Sequence, residues 1–195
     1  MVSKADPPQR MPSQAAVLQR WAVFWNSPGC HADPLLPTVP IMNCWVCDNN
    51  DRIDALPTWE RIAADEYWRV AHAIDTALPG WLVLIPRRHV TSIAEMTDAE
   101  AADLGAWQGR LSRALVAVTG CVKTYVVQFA EKEGVSHVHF HVIPRMAELP
   151  DDRRGVGVFG YLDPSPELRV GDERKSELTL ALRARLRSAG VPLSP

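Results

Sequence analysis

One stretch decides the interpretation of this chain: Ser136-His137-Val138-His139-Phe140-His141-Val142-Ile143-Pro144-Arg145. It holds three of the six histidines at alternate positions, and the residues between and after them are apolar types that favour strands. Because successive side chains of a strand point to opposite faces, we expect the three histidines to share one face and the apolar residues to pack beneath them. Pro144 is predicted to end the strand, since proline donates no hydrogen bond to a sheet.

A row of three imidazoles on one face spans roughly 13 Å, at about 3.3 Å per residue. It can therefore reach several oxygens of one polyphosphate, or divide its rings between a metal and a substrate. Histidine titrates near neutral pH and serves as a base, a nucleophile or a metal ligand. A surface accident and a nickel-type site are the alternatives, and we interpret the row as catalytic.

The row resembles the histidine triad signature, His-φ-His-φ-His-φ-φ with φ an apolar residue. The Pro144-Arg145 that follows resembles the fragile-histidine-triad branch and its bacterial relatives. The resemblance covers roughly residues 44–146 and implies an α+β, histidine triad (HIT)-like fold. We therefore expect an antiparallel sheet of about five strands, one long helix and a C-terminal helix.

The resemblance also implies nucleotidyl transfer. His139, the middle histidine, would attack the α-phosphate of a nucleotide conjugate and form a nucleotidyl-histidine intermediate that water hydrolyses. We expect the other ring nitrogen of His139 to donate to a backbone carbonyl, and His141 to bond a non-bridging phosphate oxygen. His137 is expected either to bind zinc or to lie at the leaving-group side. The substrate would be a dinucleoside polyphosphate, a nucleoside phosphoramidate or an adenylyl sulfate.

Two alternatives to this hydrolase stay open. One is a nucleotide phosphorylase or nucleotidyltransferase of the same superfamily, in which phosphate or a sugar phosphate replaces water. The other is a non-catalytic nucleotide-binding module stabilised by zinc, in which the triad only holds a ligand.

A second segment carries the resemblance further. Residues 79–90, Pro-Gly-Trp-Leu-Val-Leu-Ile-Pro-Arg-Arg-His-Val, resemble the family's Pro-Gly-His-x-Leu-Val-x-Pro-Lys-x-His. Trp81 replaces the first histidine of that segment, and we expect it either to stack on the base or to fill the pocket wall. Arg87 and Arg88 are interpreted as a solvated surface pair.

Cysteine spacing points to a metal. Cys44 and Cys47 form a Cys-x-x-Cys motif, which fits one tetrahedral zinc but also a redox dithiol. Zinc-containing relatives use two such cysteines, the histidine that His89 matches and the first triad histidine. The resemblance therefore implies a structural zinc held by Cys44, Cys47, His89 and His137.

Four further residues are predicted nucleotide contacts by resemblance. Asp75 matches the position of an Asp or Asn that holds the ribose hydroxyls, although plain turn chemistry is the alternative. Gln128 resembles a strand residue that touches phosphate or ribose. In the loop before the triad, Gly134 permits close backbone approach and Ser136 is expected to donate to a phosphate oxygen.

Two helices follow from capping and periodicity. Thr97 with Glu100 three residues later forms a capping-box pattern, and the helix should run to about Thr119. A second helix is predicted over residues 172–189. Strands are predicted at 61–64, 68–74 and 123–130, and His72 is interpreted as a packing residue.

The chain of 195 residues suits one domain with extensions. We predict an N-terminal extension over 1–40 that is partly disordered or packed on the domain. A short amphipathic helix is predicted at 14–25, whose aromatic residues either pack on the domain or line a dimer contact or the substrate cleft. The HIT domain is assigned to 41–148, and a C-terminal loop and helix to 149–195. Part of that loop, 150–157, is either a flap that carries arginines over the phosphates or a linker.

Charge and hydropathy bound the partners. The formal net charge is −2, and neither a nucleic-acid partner nor an anionic membrane surface is expected. Apolar runs fall short of the ~20 residues that span a bilayer, and the first residues lack a signal-peptide pattern. We therefore predict a cytoplasmic protein whose partner is a small nucleotide. The resemblance adds a homodimer, since the family is usually dimeric.

Overall fold

The computed structural model describes residues 44–131, 135–191 and 193. Three α-helices are described: α1 (Trp45–Asp51), α2 (Asp98–Thr119) and α3 (Asp172–Ser188). Five strands are described: β1 (Ala63–Ala64), β2 (Trp68–His72), β3 (Leu82–Pro86), β4 (Lys123–Val127) and β5 (Phe140–Arg145). The strands form one sheet in the order β1-β2-β3-β5-β4, and every neighbouring pair is antiparallel. The predicted α+β fold class is confirmed.

One face of the sheet builds the main core. Alternate residues of β2, β3 and β5 are large and apolar, and they pack against α2 and α3. Trp68 meets Phe140 edge-to-face with ring centroids 6.0 Å apart. Leu182 and Leu186 of α3 are buried in the same cluster, so the C-terminal helix belongs to this core.

The opposite face of the sheet is covered only in part. Val46 of α1 packs there on Ala71 and Ile85. The chain after β5 returns across this face as a series of short 3₁₀ turns, including Gly155–Tyr161, and buries Val158. Between these two coverings the sheet face is open to a cavity.

The long helix begins and ends as its sequence predicts. The Thr97 side chain accepts from the Glu100 backbone N–H, and the Glu100 carboxylate accepts from the Thr97 N–H, so the capping box is complete. Gly120 follows with φ 72°, a left-handed conformation that glycine adopts without strain. Arg88 is exposed, as predicted, and it also pairs with the buried Glu100 at 2.8 Å, which lowers the pKa of that carboxyl to about 2.

The histidine strand is shorter than predicted at its start and longer at its end. β5 begins at Phe140, and His137 and His139 lie in extended chain before it, where the Val138 N–H donates to the Val90 carbonyl. Pro144 lies inside β5 opposite Thr124 and does not end it.

Proline is tolerated there because of the sheet's outline. β3 pairs with β5 only as far as Val142, and Arg145 bonds toward β4. The nitrogen of Pro144 therefore points to the side that has no strand, where a missing N–H breaks no ladder bond.

Other strands are also shorter than predicted. β1 is limited to two residues because a 3₁₀ turn, Thr58–Glu60, occupies the chain just before it. The predicted domain boundaries stay a prediction, and the 14–25 helix lies outside the described residues. Among the described helices, none has the length and apolar character needed to cross a membrane.

Candidate functional site

A cavity of about 360 Å³ opens on the partly covered face of the sheet. Its floor is the sheet itself, with Ala71, Val83 and Ile85 in the centre. His139 and His141 enter it from the start of β5, and their ring centroids are 4.9 Å apart. The cavity therefore combines an apolar floor with two imidazoles at one end.

The two cavity histidines are held in opposite tautomers. Nδ1 of His139 lies 2.8 Å from the carbonyl oxygen of His137, and a carbonyl only accepts, so Nδ1 carries the hydrogen. The lone pair of His139 is therefore on Nε2. This is the arrangement expected of a nucleophilic imidazole.

His141 has the reverse arrangement because of Trp81. The indole N–H of Trp81 donates to Nδ1 of His141 at 3.0 Å, and an indole has no lone pair to accept in return. The hydrogen of a neutral His141 is therefore on Nε2, which becomes a donor. Burial, and secondarily the neighbouring His139, lower the pKa of His141 to about 4, so the ring stays neutral near pH 7.

His137 does not face the cavity. Its Nε2–H donates to the Pro86 carbonyl at 2.9 Å, and its Nδ1 lies 3.5 Å from Sγ of Cys44 and 3.6 Å from Sγ of Cys47. His89 approaches the same sulfurs, with Nδ1 3.2 Å from Sγ of Cys47. One potential ligand atom from each of these four residues lies within 4.8 Å of the other three.

This donor set fits a tetrahedral metal. With metal–sulfur bonds of about 2.3 Å and metal–nitrogen bonds of about 2.0 Å, neighbouring ligand atoms of a tetrahedron stand roughly 3.5 Å apart. The sulfur–nitrogen distances of 3.2–3.6 Å agree with that edge. Burial, with Cys44 beside it, raises the pKa of the Cys47 thiol to about 12, so the Cys47 sulfur would keep its proton near pH 7 unless a bound cation displaced it.

A polar network fixes α1, which carries the second cysteine, to the sheet. Asn50 donates to the carbonyls of Pro86 and Arg87 at 3.2 and 3.1 Å, and Nε of Arg69 donates back to Asn50 at 2.7 Å. Both Asn50 and Arg69 were missed in the sequence. The available signal was an arginine inside strand β2, between the apolar residues Trp68 and Val70.

Asp75 lies at the rim of the cavity, as its strand-end position predicts. Its carboxylate pairs with Arg169 at 2.9 Å, and its carbonyl accepts from the Asp163 N–H at 3.0 Å. Phe159 and Leu162 of the same returning chain also line the cavity. The C-terminal segment therefore forms one wall, a contribution that the sequence did not reveal.

The other predicted nucleotide contacts are placed differently. Trp81 is 0% exposed and lies behind His141, so it neither stacks in the cavity nor forms its wall. Gln128, half-buried, and Ser136, exposed, are not among the residues that line the cavity. Gly134 lies outside the described residues.

His72 reaches the cavity wall but has both ring nitrogens occupied. Its Nδ1–H donates to the Ala73 carbonyl at 2.8 Å, and its Nε2 accepts from the Gly80 N–H at 3.0 Å. Burial lowers its pKa to about 4. It therefore acts as a neutral packing residue that holds the β2–β3 turn.

The arginines of the predicted 150–157 flap are turned away. Arg153 lies over the Tyr161 ring at 5.4 Å, and Arg154 donates to the Leu149 carbonyl. Within the described part of the chain, neither lines the cavity.

Comparisons with known proteins agree with this fold. Residues 58–148 match the family model of the HIT domain. Similar solved structures include a Zn-bound histidine triad family protein from Mycobacterium smegmatis, at 22% identity over 76% of this chain and 96% of that one, with a TM-score of 0.56. A histidine triad protein from Bradyrhizobium japonicum is 27% identical over 65% of this chain and 89% of that one, with a TM-score of 0.55. No curated protein matches the chain.

Proposed function

We infer the function of this chain from the HIT domain that it carries over residues 58–148. The proposed activity is hydrolysis of the α-phosphate linkage of a nucleotide conjugate through a nucleotidyl-histidine intermediate. The conjugate is a dinucleoside polyphosphate, a nucleoside phosphoramidate or an adenylyl sulfate. His139 and His141 are the proposed catalytic residues.

One observation carries this proposal: the two cavity histidines present a lone pair and an N–H donor side by side. His139 Nδ1–H is held by the His137 carbonyl, which leaves Nε2 free to attack. His141 Nδ1 accepts from Trp81, which leaves Nε2–H free to donate. A nucleophile and a charge-stabilising donor are the two groups that attack on a phosphate requires.

The reaction then proceeds in two displacements. In the first, the Nε2 lone pair of His139 forms a bond to the α-phosphorus, and the bond from phosphorus to the leaving group breaks with its electrons on that group. The leaving group takes a proton from water at the open side of the cavity. Throughout, His141 donates from Nε2 to a non-bridging oxygen and stabilises its charge.

The second displacement restores the enzyme. Water attacks the phosphorus, loses a proton to solvent, and the P–N bond breaks with its electrons on Nε2 of His139. Nδ1 of His139 keeps its hydrogen bond to the His137 carbonyl in both steps, so the imidazole ring does not need to rotate. Asp75, at the rim, is the proposed partner of the ribose hydroxyls.

We propose that a structural zinc is held by Cys44, Cys47, His89 and His137. The similar Mycobacterium smegmatis protein is Zn-bound, which supports this proposal. Zinc in such a closed site supplies folding free energy rather than chemistry at the substrate. We expect the zinc to hold neighbouring residues in position. It would fix the His137 backbone, whose carbonyl orients His139.

A substrate panel tests the activity on the purified chain. Turnover of a dinucleoside polyphosphate, a phosphoramidate and an adenylyl sulfate is followed with and without added phosphate. Intact-protein mass after rapid quenching should show a nucleotidyl adduct, and the metal content of the same sample should approach one zinc per chain. Phosphate-dependent turnover would indicate a phosphorylase instead. Binding without turnover of any conjugate would overturn the enzymatic proposal.

Oligomeric state and location are separate expectations. The homodimer and the cytoplasmic location stay predictions, and light scattering on the same sample measures the first.

A further inference from the structure

Two charged residues at one end of the cavity are not used by the proposed reaction. Glu60 ends the turn before β1, and Arg69 lies near the start of β2. They are only 9% and 1% exposed, yet both line the cavity. Charged side chains are rarely buried so far unless they are paired or bind something.

Each has donors or acceptors to spare. Arg69 uses one N–H on Asn50 and another, from Nη1, on the Glu60 carbonyl, which is two of the five that a guanidinium carries. The Glu60 carboxylate accepts one long bond, 3.4 Å from Asn49 to Oε2. Within the described residues, Nη2 of Arg69 and Oε1 of Glu60 make no hydrogen bond, and no ion pair joins the two side chains.

The guanidinium of Arg69 keeps its charge near neutral pH. Burial lowers the pKa of Arg69 to about 10, which still leaves the guanidinium protonated. Burial raises the pKa of Glu60, while the positive charge of Arg69 acts in the opposite direction. A carboxyl group and a guanidinium therefore line an otherwise largely apolar cavity with unused hydrogen-bonding capacity.

Sheet register places Arg69 on the same face as the proposed catalytic histidines, two strands away, and Glu60 lines the same cavity. Arg69 pairs with Ile85 of β3, and Val83 of β3 pairs with His141 of β5. Two strand spacings are about 10 Å. That separation is comparable to the reach of a nucleoside from its 5′-phosphate to the far edge of its base.

We propose that Glu60 and Arg69 read the Watson–Crick edge of the base and make the cavity selective for guanine nucleotides. This inference rests on the proposed function only in that the cavity takes a nucleotide with its α-phosphate at His139. Guanine offers two adjacent N–H donors, at N1 and N2, which one carboxylate accepts together. It also offers an acceptor, O6, beside them for the guanidinium.

The other bases fit this pair less well. Adenine places the N1 lone pair where guanine has a donor, so it would face a carboxylate oxygen and leave that charge unmatched. Uracil and cytosine offer only one donor position between or beside acceptors. A buried site built to bond specific donors discriminates strongly, since the wrong base leaves its polar groups unsatisfied.

The walls beside the pair suit a flat ring. Val46 and Ile85 are buried next to it, and Trp45 of α1 lies at the cavity with 44% exposure. An indole face provides stacking that is indifferent to base identity. Stacking on Trp45 would contribute binding affinity, and hydrogen bonds to Glu60 and Arg69 would determine which base is bound.

Equilibrium binding of GMP, IMP and AMP to the full chain tests the proposal. GMP should bind at least 100-fold more tightly than AMP, and IMP, which lacks the 2-amino group, should fall about tenfold below GMP. Glu60→Gln replaces one acceptor by a donor at constant shape. It should weaken GMP at least tenfold, improve AMP, and reduce the GMP-to-AMP ratio to a few-fold.

Glu66→Gln, the same change at an exposed carboxylate outside the cavity, is the matched control and should leave the ratio unchanged. Thermal unfolding and metal content of each variant show that the fold is kept. Equal binding of GMP and AMP, or a ratio that Glu60→Gln does not alter, would overturn the proposal.

The outcome is separable from that of the proposed function. Mononucleotides bind whether or not turnover occurs. Equal binding with turnover would remove the guanine preference and leave the hydrolase. A strong GMP preference without turnover of guanine conjugates would keep the base site and remove the hydrolase. No binding of any nucleotide would remove both.

Discussion

The first histidine of the row and the other two lie two residues apart but serve opposite environments. His137 turns its Nδ1 to two sulfurs, whereas His139 and His141 turn their Nε2 atoms to an open cavity. In His137 the Nε2–H is bound to the Pro86 carbonyl, and in His139 the Nδ1–H is bound to the His137 carbonyl. The backbone partner of each ring therefore decides which nitrogen is left for chemistry.

The difference shows that neighbouring histidines of one sequence pattern can lie in two separate chemical environments. At one end the rings are enclosed with cysteines, where a cation would stabilise the fold. At the other end they face a space that a substrate can enter. The shared element is the His137 backbone, which links the metal-type cluster to the orientation of His139. Substitutions in the cysteine–histidine cluster should therefore mainly lower stability, and substitutions at the cavity histidines should mainly lower turnover.

The sharpest separation is expected from His139→Asn. It keeps roughly the size and one donor of the ring but removes the proposed nucleophile, so turnover should fall by about 10⁴-fold or more. Because the cluster around His137 is untouched, metal content and Tm should stay near those of the parent. Steady-state rates, intact-protein mass and metal analysis measure this, and near-normal turnover would refute the covalent route.

Cys47→Ser should produce the opposite pattern. Losing one ligand of the cluster should release the metal and lower the free energy of unfolding by about 3 kcal/mol, or Tm by roughly 6–12 °C. Well below Tm, the variant should retain a larger share of its turnover than His139→Asn does. Cys121→Ser is the matched control, because Cys121 is buried in the main core and should leave metal binding intact. Unchanged metal content in Cys47→Ser would contradict the site.

Acid should destabilise the cavity side through its buried neutral histidines. The pKa of His72 is about 4 in the fold and about 6.5 in the unfolded chain, so between these values the unfolded chain binds more protons. Stability is fully present above pH 6.5 and falls as the pH drops toward 4, by on the order of 2–3 kcal/mol for this group. Denaturant unfolding from pH 7 to 4.5 measures the slope, which His72→Gln should reduce. An identical slope in that variant would exclude His72 as a source.

Trp81→Phe should affect turnover more than it affects metal binding. It removes the N–H that places the hydrogen of His141 on Nε2, while most of the buried ring area stays. We expect kcat to fall by about 10- to 100-fold, below the 10²–10³ that loss of a whole charge-stabilising donor brings. KM should change little.

Trp107→Phe is the matched control for that substitution. Trp107 is also fully buried and donates its indole N–H to Asp65 at 2.6 Å, but it lies in the main core. It should lower stability with kcat unchanged. If both variants lose kcat equally, the Trp81–His141 bond is not the cause.

The smallest effect is expected at the rim, from Arg169→Gln. The Arg169–Asp75 pair is partly exposed, and such pairs contribute up to about 1 kcal/mol. Tm should therefore shift little, and KM should change by less than about fivefold because Asp75 is freed from its partner. A loss of kcat comparable to that of Trp81→Phe would show that the C-terminal wall does more than frame the cavity.

Sequence reasoning succeeded where the information is local or carried by residue type. The capped helix from Thr97 and the five-stranded sheet were confirmed, and residues 58–148 match the HIT domain model. Strand ends were less accurate, since β5 begins three residues after His137 and runs through Pro144. The error at Pro144 arose because only the outline of the sheet shows which side of a strand lacks a neighbour.

The candidate site was predicted in part. The four metal-type residues come together as the resemblance implied, and Asp75 lies at the cavity. The bond from Trp81, the wall from the C-terminal segment and the buried pair of Glu60 and Arg69 were not foreseen. Each depends on contacts between segments far apart in the chain, which carry no periodicity or motif.

The sequence by itself determined which side chains are available and that histidines alternate with apolar residues through the row. Both are properties of residue order, so they can be read without the fold. Only the tertiary structure decided which nitrogen of each ring is free. The deciding partners are the Pro86 carbonyl, 51 residues from His137, and the Trp81 indole, 60 residues from His141. A tautomer is fixed by the hydrogen bond made at the opposite nitrogen, and folding alone brings that partner into place.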